Sequence, residues 1–189
     1  MSKIVAGQAG GLPLKAVPGS GTRPTTERAK EAVFSWLESR DWLAENAVLD
    51  LYTGSGGLAV EAASRGAATV TGVESARPPA RVAEHNAQIL NDALGRDVVT
   101  INQMPVQRFL GTTDPASWDL VLADPPYDID EDELLAMIAQ AFTVLMDDGL
   151  FALERPYKAA EPHWPEGVYV VDARRYGEAM VYFVRREGY

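Results

Sequence analysis

Short apolar runs alternate along most of the chain with longer amphipathic segments. Five runs have the β-branched and apolar composition of buried strands: 48–52, 69–74, 98–102, 118–123 and 150–154. The segments 57–65, 81–94 and 132–146 repeat apolar residues with the period of a helix. This alternation predicts an α/β fold in which helices cover both faces of a mostly parallel sheet.

The last quarter of the chain changes pattern. Two strand-like runs, 168–173 and 179–185, are separated by only five residues. A link of that length is too short for a crossover helix, so we expect the two strands to pair antiparallel at one edge of the sheet. The prediction is a doubly wound, mostly parallel seven-stranded sheet with an antiparallel edge strand.

Glycine and proline interrupt the first 25 residues. Short runs at 3–6 and 12–17 between these breaks predict a small β-hairpin outside the main sheet. We therefore divide the chain into an N-terminal hairpin extension, 1–25, and a main domain, 26–189. The sequence Thr25-Thr26-Glu27 offers a helix N-cap followed by an acidic first turn. The helix predicted after it has one apolar face, formed by Ala29, Ala32, Val33, Trp36 and Leu37.

The composition narrows the class of protein. The 189 residues include 47% hydrophobic and 23% charged residues, which is typical of a globular domain. The longest uncharged apolar run is too short to cross a bilayer, and the N-terminus lacks the pattern of a secretory signal. With no cysteine and two histidines, neither a disulfide framework nor a metal site is expected. We expect a cytoplasmic protein.

The net charge of −10 argues against nucleic acid as a partner until its distribution is considered. Residues 1–40 carry a net charge of +3, residues 41–154 carry −14 and residues 155–189 carry +1. Arg23, Arg28 and Lys30 cluster around the start of the first predicted helix. These three residues form a candidate phosphate-binding surface.

A glycine-rich loop follows the first buried strand, in the sequence Asp50-Leu51-Tyr52-Thr53-Gly54-Ser55-Gly56-Gly57. Glycines let the backbone turn sharply and approach a ligand, and Glu74 at the end of the next strand can accept both hydroxyls of a ribose. The spacing of Gly54 and Gly56 also fits a loose dinucleotide fingerprint, so an NAD-dependent oxidoreductase is an alternative. The acid at Asp50 would repel a pyrophosphate and favours a cationic cofactor such as S-adenosylmethionine.

The sequence Asp124-Pro125-Pro126-Tyr127 follows the fourth strand at the same edge of the sheet. An exocyclic amine on an aromatic ring is a poor nucleophile because its lone pair is delocalised. The carboxylate of Asp124 and the carbonyl of Pro125 could accept its two N–H bonds and aim that lone pair at a methyl group. Tyr127 could stack on a flipped base.

Four segments together resemble the RsmD-type methyltransferases: 23–34, 50–57, 61–67 and 124–127. That resemblance covers nearly the whole chain and implies methylation of the guanine N2 amine in small-subunit (16S) ribosomal RNA, on an assembled or assembling subunit. It also implies a Rossmann-like methyltransferase core and S-adenosylmethionine as the methyl donor. We expect a monomeric enzyme. By this resemblance the donor would be bound by Asp50, Tyr52, Gly54, Gly56, Glu74 and Asp124. Asp124, Pro125 and Tyr127 would hold the guanine, and Arg23, Thr25, Arg28 and Lys30 would contact the RNA.

The sequence departs from the family in three places that affect this assignment. In one, the charged stretch that usually follows the ribose acid is replaced by Ser75-Ala76-Arg77-Pro78-Pro79. Family members usually carry arginines in the N-terminal hairpin, where this chain has Ala9-Gly10-Gly11-Leu12. An acid that usually follows the third strand is replaced near Met104-Pro105. Three alternatives therefore stand beside the main reading: an amino-methyltransferase acting on adenine N6 or on a glutamine amide, the NAD-dependent oxidoreductase, and a non-catalytic RNA-binding module.

Overall fold

The fold is taken from a computed structural model, which describes residues 2–18 and 27–188. In chain order, the elements are β1 (Ser2–Lys3), β2 (Pro13–Leu14), α1 (Glu27–Glu38), β3 (Ala47–Leu51), α2 (Gly57–Ser64), β4 (Thr69–Glu74), α3 (Arg77–Leu94), β5 (Val99–Gln103), α4 (Val106–Leu110), β6 (Trp118–Ala123), α5 (Glu131–Val144), β7 (Leu145–Pro156), β8 (Val168–Tyr176) and β9 (Ala179–Arg186). Among the described helices, none combines the length and apolarity needed to cross a membrane.

The main sheet has seven strands in the order β5-β4-β3-β6-β7-β9-β8. The first five of these pair in parallel, and β9 runs antiparallel to both β7 and β8. The predicted Rossmann-like fold and the antiparallel pairing of the last two strands are therefore confirmed. The strand that runs against the others is β9, second from the edge, while β8 forms the edge itself.

The chain changes direction across the sheet between β3 and β6. From β3 it proceeds outward through β4 to β5, then returns to place β6 on the other side of β3. Such a switch point opens a crevice at the carboxyl ends of the two central strands, which is where open α/β sheets bind ligands. Asp50 lies near the end of β3 and Asp124 directly follows β6.

Two apolar layers enclose the sheet because alternate strand residues face opposite sides. Val48 and Leu120 face the layer formed by α1, α2 and α3. Leu49 and Val121 face the layer formed by α4 and α5. The near-continuous burial of the central strands explains their unbroken apolar sequences.

The N-terminal hairpin is smaller than predicted, with a ladder of two residue pairs between β1 and β2. It packs on the main domain: Ile4 is fully buried, and the backbone N–H groups of Val5 and Ala6 donate to the carboxylate of Glu61 at 2.8 and 3.0 Å. The boundary predicted between residues 25 and 26 falls in 19–26, outside the described residues.

Several element bounds differ from those predicted. Helix α3 begins at Arg77 rather than 81, because Pro78 and Pro79 occupy its first turn, where no backbone N–H is needed. The five-residue helix α4 was not predicted, since one turn and a half is too short to show a period. On α1, Lys30 and Phe34 are buried while Ala32 is only partly covered, so the buried face is turned relative to the predicted one.

Candidate active site at the carboxyl edge of the sheet

The glycine loop between β3 and α2 has the left-handed backbone that its sequence requires. Gly54 and Gly56 have φ of 56° and 81°, and Gly56 precedes the first turn of α2. A Cβ on Gly56 would lie 3.2 Å from the Cβ of Ala83, so only glycine lets α3 approach this closely. A Cβ on Gly54 would meet nothing nearer than the Tyr52 carbonyl at 4.0 Å, which leaves that backbone open to a ligand.

Glu74 fixes the loop from the neighbouring strand. Its carboxylate accepts from the backbone N–H of Gly54 at 3.0 Å and from that of Ala76 at 2.8 Å. The acid predicted to hold a ribose thus also joins the glycine loop to the start of α3. Each carboxylate oxygen retains a second lone pair for a ligand hydroxyl.

Asp50 is fully buried in β3, and its carboxylate accepts a hydrogen bond from the Thr53 hydroxyl. Burial raises its pKa to about 7, against the opposing effect of the Thr53 hydrogen bond. The charges of Asp124 and Glu74 raise the pKa further. The same three acids that the sequence assigned to the site are therefore close enough to repel one another.

Tyr52 leaves β3 with φ of 59° and packs its ring against the layer formed by α4 and α5. Its hydroxyl is buried and has no hydrogen-bond partner among the described residues. Burial, followed by the charge of Glu133, raises the pKa of Tyr52 to about 12. The phenol therefore stays neutral. Binding of the methyl donor by Tyr52 remains a prediction.

The segment after β6 presents two hydrogen-bond acceptors at this edge. Among the described residues, none donates a hydrogen bond to the carboxylate of Asp124 or to the carbonyl of Pro125. Pro125 is buried, whereas the next carbonyl, that of Pro126, accepts from Ile129 at 3.1 Å and closes a turn. Burial raises the pKa of Asp124 to about 6, and the charge of Arg155 opposes that rise.

Tyr127 follows directly and is 45% exposed. Its exposure beside Asp124 leaves stacking on a base as a prediction. The structure thus brings Asp50, Glu74, Asp124 and Tyr127 to one edge of the sheet, as the sequence predicted.

One acid of this edge was not assigned to the site from the sequence. Glu154 lies near the carboxyl end of β7, and burial followed by the charge of Asp124 raises its pKa to about 8. In the sequence it is simply the acid that ends an apolar strand. Its relevance depends on β7 lying beside β6, which the pattern of a single strand does not reveal.

The candidate RNA-binding residues are not all placed alike. Arg28 is exposed in the first turn of α1. Lys30 is buried: its ammonium group lies 3.2 Å from Glu61 and donates to the Lys3 carbonyl at 3.0 Å. The assignment of Lys30 to RNA is therefore corrected, since a phosphate cannot reach it. Arg23 and Thr25 lie outside the described residues.

The charge of the crevice restricts its ligand. Four acids, Asp50, Glu74, Asp124 and Glu154, end adjacent strands there. Such a site repels the pyrophosphate of a dinucleotide and attracts a cation, which disfavours the NAD-dependent oxidoreductase. The open backbone at Gly54 and this acidic surround fit the sulfonium and amino groups of S-adenosylmethionine.

Strand order, glycine loop and acidic crevice define a Rossmann-like methyltransferase fold. The sequence matches the family described as "Conserved hypothetical protein 95" over residues 2–185. The chain belongs to this family, the RsmD-type family.

Individual relatives agree with this assignment. Ribosomal RNA small subunit methyltransferase D of Escherichia coli K12 is 32% identical over 152 residues, which cover 80% of this chain and 70% of that protein. YlbH of Bacillus subtilis is 25% identical over 186 residues, covering 98% of this chain and 100% of YlbH. The structure of yhhF from Escherichia coli superposes with a TM-score of 0.81 at 26% identity, covering 100% of this chain and 99% of that one.

Proposed function

We propose that the protein transfers a methyl group from S-adenosylmethionine to the exocyclic N2 amine of a guanine in 16S ribosomal RNA. The observation that carries this proposal is the pair of acceptors at Asp124 and Pro125, which no described residue occupies. An amine with two N–H bonds satisfies both acceptors at once. Family membership supplies the substrate class, since the Escherichia coli relative is named for small-subunit ribosomal RNA.

The donor would lie across the carboxyl ends of β3 and β4. Glu74 would accept the two ribose hydroxyls, and the open backbone at Gly54 would line the methionine moiety. Asp50 would place a negative charge below the amino and sulfonium groups. Burial raises the pKa of Asp50 most, and the charges of Asp124 and Glu74 add to that rise; a cation in the crevice would offset this repulsion. When bound, the donor supplies an electrophilic methyl group.

On the acceptor side, Asp124 and Pro125 would orient the amine and Tyr127 would hold the ring. Accepting both N–H bonds makes the nitrogen pyramidal and directs its lone pair at the methyl carbon. The donor would supply the methyl group for the new N–C bond and keep the electron pair of its C–S bond, so that it would leave as a neutral thioether. Asp124 would take the proton that the methylated nitrogen loses.

The RNA would approach over the start of α1, where Arg28 is exposed. Arg23 and Thr25, which precede the helix, complete the proposed contact. We propose a monomeric enzyme that acts on the assembled or assembling small subunit in the cytoplasm.

The test is transfer of a tritiated methyl group to small subunits and to naked ribosomal RNA from a strain lacking the enzyme. Mass spectrometry of the digested product identifies the modified base. We expect N2-methylguanosine, and loss of at least about 100-fold in single-turnover rate for Asp124→Asn, within the range of acid/base and orienting groups. Asp128→Asn, an exposed acid four residues along, is the matched control and should transfer at the wild-type rate.

Other products would redirect the proposal. Detection of methylated adenosine or of a methylated protein amide would show that the acceptor is adenine or a glutamine side chain and not guanine. Near wild-type transfer by Asp124→Asn would remove Asp124 from the chemistry. Tyr127→Phe should retain most activity because the ring still stacks, whereas Tyr127→Ala should lose it.

A further inference from the structure

Glu154 is a partly buried acid that the mechanism above does not use. Leu153 of β7 pairs with Ala123 of β6, so Glu154 and Asp124 occupy the next positions on two adjacent parallel strands. Adjacent strands lie about 4.8 Å apart, and side chains at matching positions project to the same face. The two carboxyl groups are therefore neighbours at the acceptor side of the crevice.

Glu154 projects into a cleft with aliphatic walls, formed by Val33 of α1, Leu58 of α2, Leu122 of β6 and Val181 of β9. Lys30 also lines this cleft, but its ammonium is engaged by Glu61 and the Lys3 carbonyl. Within residues 2–18 and 27–188, the carboxyl group of Glu154 forms no hydrogen bond or ion pair. A carboxyl group in apolar surroundings is costly unless a ligand supplies a donor.

We propose that the Glu154 carboxylate reads the Watson–Crick edge of the flipped guanine by accepting its N1–H bond. This inference rests on the proposed function, in which Asp124 and Pro125 hold the neighbouring N2 amine. The N1–H group and the N2 amine both lie on the Watson–Crick edge of guanine, so acceptors on two adjacent strands can engage them together. Glu154 is then a specificity-determining residue, because adenine carries a lone pair at N1 and a carboxylate repels it.

The protonation of Glu154 is consistent with this role. Burial and the charge of Asp124 raise the pKa of Glu154 to about 8 in the ligand-free protein. The charged groups that face Glu154 are Asp124, which directly follows β6, and Lys30 on α1. Its neighbours on α2 and β9 are aliphatic. A guanine N1–H donor and a bound cation both favour the carboxylate, so guanine binding should release a proton below about pH 8.

The test compares guanine with 2-aminopurine at the modified position. 2-Aminopurine keeps the N2 amine but presents a lone pair at N1. Ribosomal RNA carrying either base at that position is assembled by ligation and reconstituted into small subunits. We expect the wild-type enzyme to prefer guanine by at least about 100-fold in single-turnover kcat/KM, as sites built around one hydrogen bond do. Glu154→Gln should narrow that preference at least about 10-fold, because its amide can donate to the N1 lone pair.

The matched control is Glu178→Gln, an exposed acid in the turn between β8 and β9, which should keep the wild-type preference. Donor affinity and thermal unfolding of Glu154→Gln establish that it is folded. If that variant does not fold, the wild-type preference decides: a ratio near one overturns the inference. An unchanged preference in folded Glu154→Gln also overturns it. No transfer to guanine by the wild type would instead overturn the proposed function itself.

Discussion

Two groups of charged side chains in this protein are built in opposite ways. The first, here the ion-pair cluster, joins α1 and α2 and consists of Lys30, Glu31, Glu38, Glu61 and Arg65. The second, the acidic edge, consists of Asp50, Glu74, Asp124 and Glu154 at the carboxyl ends of four strands. In the first group opposite charges meet, and in the second like charges face one another.

The ion-pair cluster is fully satisfied. The guanidinium of Arg65, 1% exposed, contacts Glu61 at 2.9 Å and Glu38 at 3.0 Å, and also bonds to Glu31. Glu61 further accepts from two backbone N–H groups of the N-terminal hairpin. These bonds hold the hairpin, α1 and α2 together. Because every charge has a partner within the chain, the cluster has no need of a ligand.

Among the described residues, the acidic edge has no ion pair of this kind. Burial raises the pKa values of Asp50, Asp124 and Glu154 to about 7, 6 and 8, and the charge of Asp124 adds to the rise at Asp50 and Glu154. The fold accepts this unfavourable arrangement at the switch point of the sheet, where a cationic ligand would relieve it. We therefore assign the ion-pair cluster to the stability of the fold and propose the acidic edge as a ligand site.

Removing a charge from the ion-pair cluster should give the largest effect, a loss of stability. Arg65→Met keeps most of the side-chain volume but leaves a fully buried Glu61 with Lys30 as its remaining cationic partner. Removing one partner of a buried ion pair costs about 3 to 5 kcal/mol, so we expect a loss of that size in the free energy of unfolding. Urea denaturation measures it, and Arg108→Met, at an exposed position on α4, is the control. A loss below about 1 kcal/mol would show that the cluster is not what holds the hairpin.

A substitution at Glu74 tests whether the acidic edge binds the methyl donor. Glu74→Ala should weaken S-adenosylmethionine binding by roughly 2 to 3 kcal/mol, the scale of charge-assisted hydrogen bonds. Isothermal titration calorimetry gives the affinity, and Glu84→Ala, an exposed acid on α3, should leave it unchanged. Glu74→Gln keeps an acceptor oxygen and should lose less. Wild-type affinity in Glu74→Ala would exclude this residue from the donor site.

Removing a charge from the acidic edge should stabilise the protein. The pKa of Asp124 in the folded protein is raised from 3.8 to about 6. Between these values the folded state binds more protons than the unfolded state, so the contribution of Asp124 to stability falls as pH rises through about 6. Asp124→Asn does not titrate and should be more stable than wild type by about 1 to 2 kcal/mol at pH 8, with little difference near pH 4.

Urea denaturation of both proteins across this pH range measures the difference. Asp128→Asn, an exposed acid outside the crevice, should match the wild-type protein at each pH. An Asp124→Asn variant less stable than wild type at pH 8 would mean that the carboxylate is satisfied within the fold. The comparison between the two groups would then fail.

Much of this arrangement follows from local sequence. Alternating apolar runs predict the parallel sheet, and the loop glycines predict the sharp turn after β3. Acids at the ends of successive strands predict a shared edge, because parallel strands point the same way. Each of these signals lies within one segment of the chain.

The features that were missed depend on contacts between distant segments. From the sequence, Lys30 is expected to be a solvent-exposed basic side chain beside Arg28. Its burial is explained only by its contact with Glu61, 31 residues away. Glu154 lies beside Asp124 only because β7 pairs with β6. Helix α3 begins at Arg77, earlier than predicted, because prolines are tolerated in the first turn of a helix. Helical periodicity could not separate Arg28 from Lys30, although the two play different parts.

That pair provides the last and smallest prediction. Arg28 is exposed and proposed to contact phosphate, whereas Lys30, two residues along, belongs to the ion-pair cluster. Arg28→Ala should weaken small-subunit binding by less than about 1 kcal/mol at moderate salt, and should lower the slope of log affinity against log salt by about one. Lys30→Met should keep the wild-type slope and lose stability instead, because its charge offsets Glu61. Filter binding across a salt series, with unfolding measured in parallel, separates the two. A reduced salt slope in Lys30→Met, or an unaltered salt slope in Arg28→Ala, would contradict this prediction. It would show that burial on α1 does not decide which basic side chain contacts the RNA.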